Sequence, residues 1–97
     1  MRLNGYKLAA SYNRLSKSRG GVCIFVDKSA EIAPIDVKHL IVESNFEVCA
    51  AKLFSIKGKV LKDKIIIATV YRTPKANFDV FLTNFEKLIV FLNRFSS

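Results

Sequence analysis

The stretch that most constrains this chain runs from Ile65 to Phe95. It begins with the apolar run Ile65-Ile66-Ile67-Ala68-Thr69-Val70, passes through Tyr71-Arg72-Thr73-Pro74 and ends in a Phe- and Leu-rich segment. The run is short and β-branched, with Lys64 before it and Pro74 after it, which predicts a core strand rather than a helix. Beyond the proline the period changes: Phe78, Phe81, Leu82, Phe85, Leu88, Ile89 and Leu92 recur at three and four residues. That spacing predicts a helix reaching about Arg94, with a broad apolar stripe for packing on a sheet. Asn77 is placed to cap it, with Asp79 in the first turn and Arg94 in the last, where their charges suit the helix dipole. Everything upstream is expected to supply strands for the sheet that this strand-turn-helix unit joins.

After the turn dipeptide Asn4-Gly5, the residues Tyr6, Leu8, Ala10 and Tyr12 fall on alternate positions, predicting a strand with that face buried. Arg14 to Arg19 reads as a basic loop, closed by Gly20-Gly21 where the backbone needs positive φ or a close approach. The partner strand, Val22 to Val26, is nearly all apolar and so is expected to be central and covered on both faces. Ala30 to Lys38, which contains Pro34, reads as a connection leading to a short edge strand at His39-Leu40-Ile41-Val42. Phe46 to Ile56 and Lys64 to Tyr71 form a second hairpin around Lys57-Gly58-Lys59, which Val60-Leu61 could lengthen by a residue or two. Four or five strands and one helix, without repeats, indicate an α+β fold. Two hairpins build an antiparallel or mixed sheet, and a C-terminal amphipathic helix packs on it.

With 97 residues, 51% of them hydrophobic, the chain can build one core and no more. Sixteen Lys and Arg against eight acids give a formal charge of +8, a balance that favours anionic partners. The bases fall in two zones: Arg2 to Arg19, ahead of the first acid, and Lys52 to Lys75, which holds seven bases against Asp63 alone. Cys23 and Cys49 lie in apolar stretches, without a second ligand at metal-binding spacing, and read as small core residues of an intracellular, reducing compartment. The start lacks the apolar core of a signal peptide and no apolar run is long enough to span a bilayer, so the chain is expected to be soluble, nuclear or cytoplasmic. No complete catalytic set is visible: His39 reads as a strand-edge residue, the acids Glu31, Asp36, Glu43 and Glu47 are isolated, and Gly20-Gly21 lacks the rest of a P-loop. The exception is Tyr71, which with Arg72 sets a phenol and a guanidinium at a sheet rim suited to phosphate.

The order of these features resembles the endonuclease/exonuclease/phosphatase family. The features are Tyr12, Arg14 in a basic loop, Gly20-Gly21-Val22-Cys23-Ile24-Phe25-Val26, Phe46-Glu47-Val48, Ile65 to Tyr71 with Pro74, and the helix Phe81 to Leu92. More narrowly the chain looks like the endonuclease domain of non-LTR retrotransposon polyproteins. The resemblance implies a DNase I-like four-layer α/β sandwich that hydrolyses phosphodiesters with magnesium, with residues 1–97 forming only its central part. It implies that Tyr71 is a catalytic residue positioning the scissile phosphate, and it offers Arg72, Lys75, Asn77 and Arg14 as phosphate or DNA contacts. It assigns no metal ligand to this chain: the metal-binding residues and the catalytic histidine would belong to the missing halves of the domain. DNA and those halves are the implied partners, there is no membrane partner, and the chain alone is expected to be inactive and prone to oligomerise or aggregate. The alternative from the residues themselves is a small basic α+β module that binds nucleic acid without catalysis.

Overall fold

The computed structural model describes residues 4–13, 21–42 and 45–95. Five strands and a helix follow in order: β1 (Tyr6–Asn13), β2 (Gly21–Asp27), β3 (Glu31–Ile35), β4 (Glu47–Ile56), β5 (Lys59–Tyr71) and α1 (Phe78–Leu92), with short 3₁₀ turns at Lys38–Leu40 and Asn93–Phe95. The fold is α+β and every strand pairing is antiparallel, but the strands form two sheets, not one: β1-β2 and β3-β4-β5.

The two expected hairpins are present. In the first, Gly21 has φ +126, and a Cβ there would collide with the backbone carbonyl of Tyr12, so only glycine admits this approach. In the second, Lys57 (φ 52) and Gly58 (φ 79) make a two-residue turn with both residues left-handed, a geometry that matches the twist of paired strands. β5 therefore starts at Lys59, five residues before the expected Lys64. The extra length is absorbed in an irregularity: Ser55 pairs with Val60 and Leu53 with Ile65, so Leu61 to Lys64 bulge opposite Phe54.

Three expectations are corrected. Glu31–Ile35 is a strand and His39 is not in one: Pro34 sits on edge strand β3 opposite Ala51, where its missing amide hydrogen is tolerated. The side chain of Asp36 then accepts a hydrogen bond from the Lys38 amide at 3.0 Å, turning the chain into the 3₁₀ segment that carries His39. Secondly, β2 is half of a two-stranded sheet rather than central, and of its apolar residues only Ile24 is buried, while Cys23 is exposed. Thirdly, Tyr6 and Leu8 are exposed, because the pairing with β2 shifts between Leu8 and Ala10 and changes which residues face inward.

The elements stack as helix, three-stranded sheet and hairpin. Alternation along β4 sends Cys49, Ala51 and Leu53 toward β1-β2 and Phe46, Val48 and Ala50 toward α1. On the hairpin side the Thr69 hydroxyl donates to the Cys23 carbonyl across the layers at 3.5 Å. On the helix side, Phe46, Val48, Ala50, Ile35 and Val37 bury against Leu88 and Leu92, with Ile66, Val70 and Phe81 packed around them. Each fully buried leucine of this kind contributes roughly 1.5–3 kcal/mol. The helical stripe divides: Leu88 and Leu92 are buried, whereas Phe78, Leu82, Phe85 and Ile89 remain exposed. Among the described residues no helix is long and apolar enough to cross a membrane.

Candidate functional site

Tyr71 is the last residue of β5, 40% exposed, where the strand gives way to the turn that Pro74 enforces. Its cross-strand neighbour is Glu47, the first residue of β4, and Glu47 is wholly buried. Both residues lie on the hairpin side of the sheet, in line with Cys49 and Thr69. A buried carboxylate beside a half-open phenol is the feature that sequence reasoning missed: Glu47 reads as an isolated acid along the chain. The signal that could have found it is its position between apolar Phe46 and Val48, at the strand end that faces Tyr71.

Arg72 points the other way. Its guanidinium carbon stands 5.3 Å from the ring centre of Phe78 and 6.0 Å from that of Phe81, so the two aromatic residues of the first helical turns hold the charge over the helix side. Such stacking is worth about 0.5–1 kcal/mol at an exposed site and keeps the hydrogen-bonding edge of the guanidinium in solvent. The structure thus places Tyr71 and Arg72 at one strand end but on opposite faces of the sheet.

Lys75 is exposed in the intervening turn, which the Ala76 amide closes by donating to the Thr73 carbonyl at 3.0 Å. Asn77 is the helix cap, as the sequence predicts: its side-chain oxygen accepts from the Val80 amide at 3.1 Å. Arg14 lies outside the described residues. His39 is remote from this end, because its ring meets Phe91 edge-on at 4.7 Å and Phe91 follows Phe78 by thirteen residues, about 20 Å along a helix rising ~1.5 Å per residue.

This arrangement offers anion-binding groups within five residues of one strand end: the phenol of Tyr71, the stacked guanidinium of Arg72 and the ammonium of Lys75. Among the described residues no three of His, Cys, Asp and Glu come together. Elsewhere, burial pushes the Cys49 thiol up to about 11, which keeps it protonated and unreactive. Compared with known proteins, the chain matches no family model, no curated protein sequence and no solved structure.

Proposed function

We propose that this chain is the central part of a magnesium-dependent phosphodiesterase domain of the endonuclease/exonuclease/phosphatase type, closest in pattern to retrotransposon endonucleases, acting on DNA. The observation that carries the proposal is Tyr71: a half-exposed phenol at the end of a strand from a sheet that is backed by a helix on one face and a second sheet on the other. A sandwich of two sheets with helices outside would contain this stack of layers, and its phosphate would meet the strand ends. In this role the Tyr71 hydroxyl donates to a non-bridging phosphate oxygen, and Arg72 and Lys75 draw the DNA backbone toward the rim from the helix side. Metal ligands and the base come from the remainder of the domain, so the 97-residue chain binds weakly and does not cut.

The test is nicking of supercoiled plasmid with magnesium, using a longer chain that supplies the remainder. That chain should nick, and Tyr71→Phe should slow it by about tenfold to a hundredfold, the scale of losing one hydrogen-bond donor to transition-state charge. A folded longer chain that fails to nick, or a Tyr71→Phe variant that cuts at the parent rate, overturns the assignment. Magnesium-dependent nicking by residues 1–97 alone, lost in Tyr71→Phe, would overturn the division of labour. The competing identity, a basic module that binds nucleic acid without cleaving it, draws its support from the lysines at the opposite end of β5.

A further inference from the structure

The face of the β3-β4-β5 sheet that α1 covers near Tyr71 is left open at the other end. The helix-side core ends with Ala50 on β4 and Ile66 on β5. Further along β4, Lys52 and Phe54 are partly exposed and Ile56 is exposed, while Leu53 and Ser55 are buried, and the pairing with both neighbouring strands shifts between Leu53 and Ser55. The Lys52 ammonium stands 5.8 Å from the centre of the Phe54 ring. Lys7 and Phe54 line one shallow hollow with Glu31 and Ala33. Around this face the bulge and the hairpin tip carry Lys57, Lys59 and Lys62, all exposed, and Lys64, whose ammonium donates to the Leu61 carbonyl at 2.8 Å.

The acids at this end are fewer and partly engaged. Asp27 accepts from the Ser29 amide at 2.8 Å and from its hydroxyl at 2.6 Å; these bonds, helped by the Lys57 charge, lower its pKa. Glu31 accepts from the Ser55 hydroxyl at 3.2 Å, and Asp63 remains among the lysines. The local field is therefore positive, and it surrounds a partly exposed aromatic ring. Unpaired bases stack on such rings while their phosphates meet ammonium groups, whereas a duplex keeps its bases stacked on each other and has none to offer.

We propose that this basic end of the sheet, centred on Phe54, binds single-stranded nucleic acid. One base stacks on Phe54, and the flanking phosphates meet Lys52, Lys64 and the lysines of the hairpin tip. The surface is separate from the Tyr71 rim: Lys59 and Tyr71, at opposite ends of β5, pair with Ile56 and Glu47 of β4, nine residues and roughly 30 Å apart at ~3.3 Å per residue. It requires no bond cleavage and does not rest on the phosphodiesterase assignment.

The chain has no tryptophan, so Phe54→Trp installs a single fluorescent reporter at the stacking position. It is titrated with a twelve-nucleotide single strand of DNA, the same strand as RNA, and the corresponding DNA duplex. Both single strands should quench the indole and the duplex should not; the tighter of the two identifies the natural ligand. Affinity should fall with salt at a slope of about −0.7 per phosphate engaged, and a Lys52→Glu/Lys64→Glu double variant should flatten that slope. By anisotropy on the parent background, Phe54→Leu, which keeps apolar volume and removes the π-face, should weaken single-strand binding about tenfold. Equal quenching by the duplex, single-strand binding without quenching, or a Phe54→Leu variant that melts normally and binds like the parent would each overturn the proposal.

Discussion

At its Tyr71 end β5 is roofed by α1, and Val70 and Ile66 pack with Phe46, Val48 and Leu88 so that the paired segment of β4 is buried on both faces. At its Lys59 end the same strand bulges, Val60 is 75% exposed, and lysines gather around a partly exposed phenylalanine, Phe54. Both ends are basic in sequence. The difference lies in what happens to the apolar residues between the bases: at one end they make a core that holds two charges at its rim, and at the other they are the floor of an open surface. A block of bases thus acquires different chemistry according to the layer above it.

Several substitutions can break or sharpen that contrast. The largest effect belongs to Phe46→Ala: Phe46 is wholly buried, with its ring 5.4 Å from that of Phe81, and truncation should cost about 3–5 kcal/mol in urea unfolding. Phe54→Ala at the open end should cost no more than ~1 kcal/mol in the same experiment, because a partly exposed ring gives up less buried area. Equal losses at the two positions would erase the distinction between a packed and an open end.

Next in size is a pH effect from the buried layer. Cys49 is pushed up to about 11 from an ordinary value of 9.0, chiefly by burial. The folded state therefore holds this proton where the unfolded state has lost it, so the contribution of Cys49 to stability is complete below about pH 9 and declines as pH rises toward 11. Tm should drop by a few degrees over that window, and the Cys49→Ala variant should lose this part of the slope. Exposed Cys23 should react with a thiol reagent in the native state while Cys49 does not.

Removing the cap with Asn77→Ala should cost about 1 kcal/mol by the same urea assay, and Asn77→Asp should recover it, since either side chain accepts from the Val80 amide. A cost near zero would mean that packing alone sets where α1 begins. Smallest of all, Lys59→Ala at the exposed tip should change stability by less than ~0.5 kcal/mol. A larger loss there would show that the tip is held by structure and is not an open surface.

Much of this fold is legible along the chain where the signal is local. The strand ending at Tyr71, the cap at Asn77, the turn at Lys57-Gly58 and the tight approach at Gly21 each follow from one or two residues whose backbone or hydrogen-bonding preferences leave few choices. The misreadings all concern partners distant in sequence. Pro34 reads locally as a strand breaker, because nothing near it shows that β3 is an edge. Val22 to Val26 reads as central, because apolar composition does not distinguish a strand covered on both sides from one in a two-stranded hairpin. At the site, Tyr71 stood out by its position before Pro74, but its neighbour Glu47 did not, because the two are joined only by the register of β4 on β5.

The sequence by itself determined the α+β class, the order of strand, turn and helix after Lys64, the excess of positive charge and the presence of a phenol at the end of a core strand. These depend on periodicity, on the restricted backbones of glycine and proline, and on counting, all of which act within a few residues. Only the tertiary structure decided that the strands divide into two sheets, that Tyr71 and Arg72 turn to opposite faces, that Glu47 is buried beside the phenol, and that α1 stops short of Lys52 and Phe54. Those outcomes follow from how far a fifteen-residue helix reaches along a thirteen-residue strand, and from strand register, which pairing across the whole chain sets.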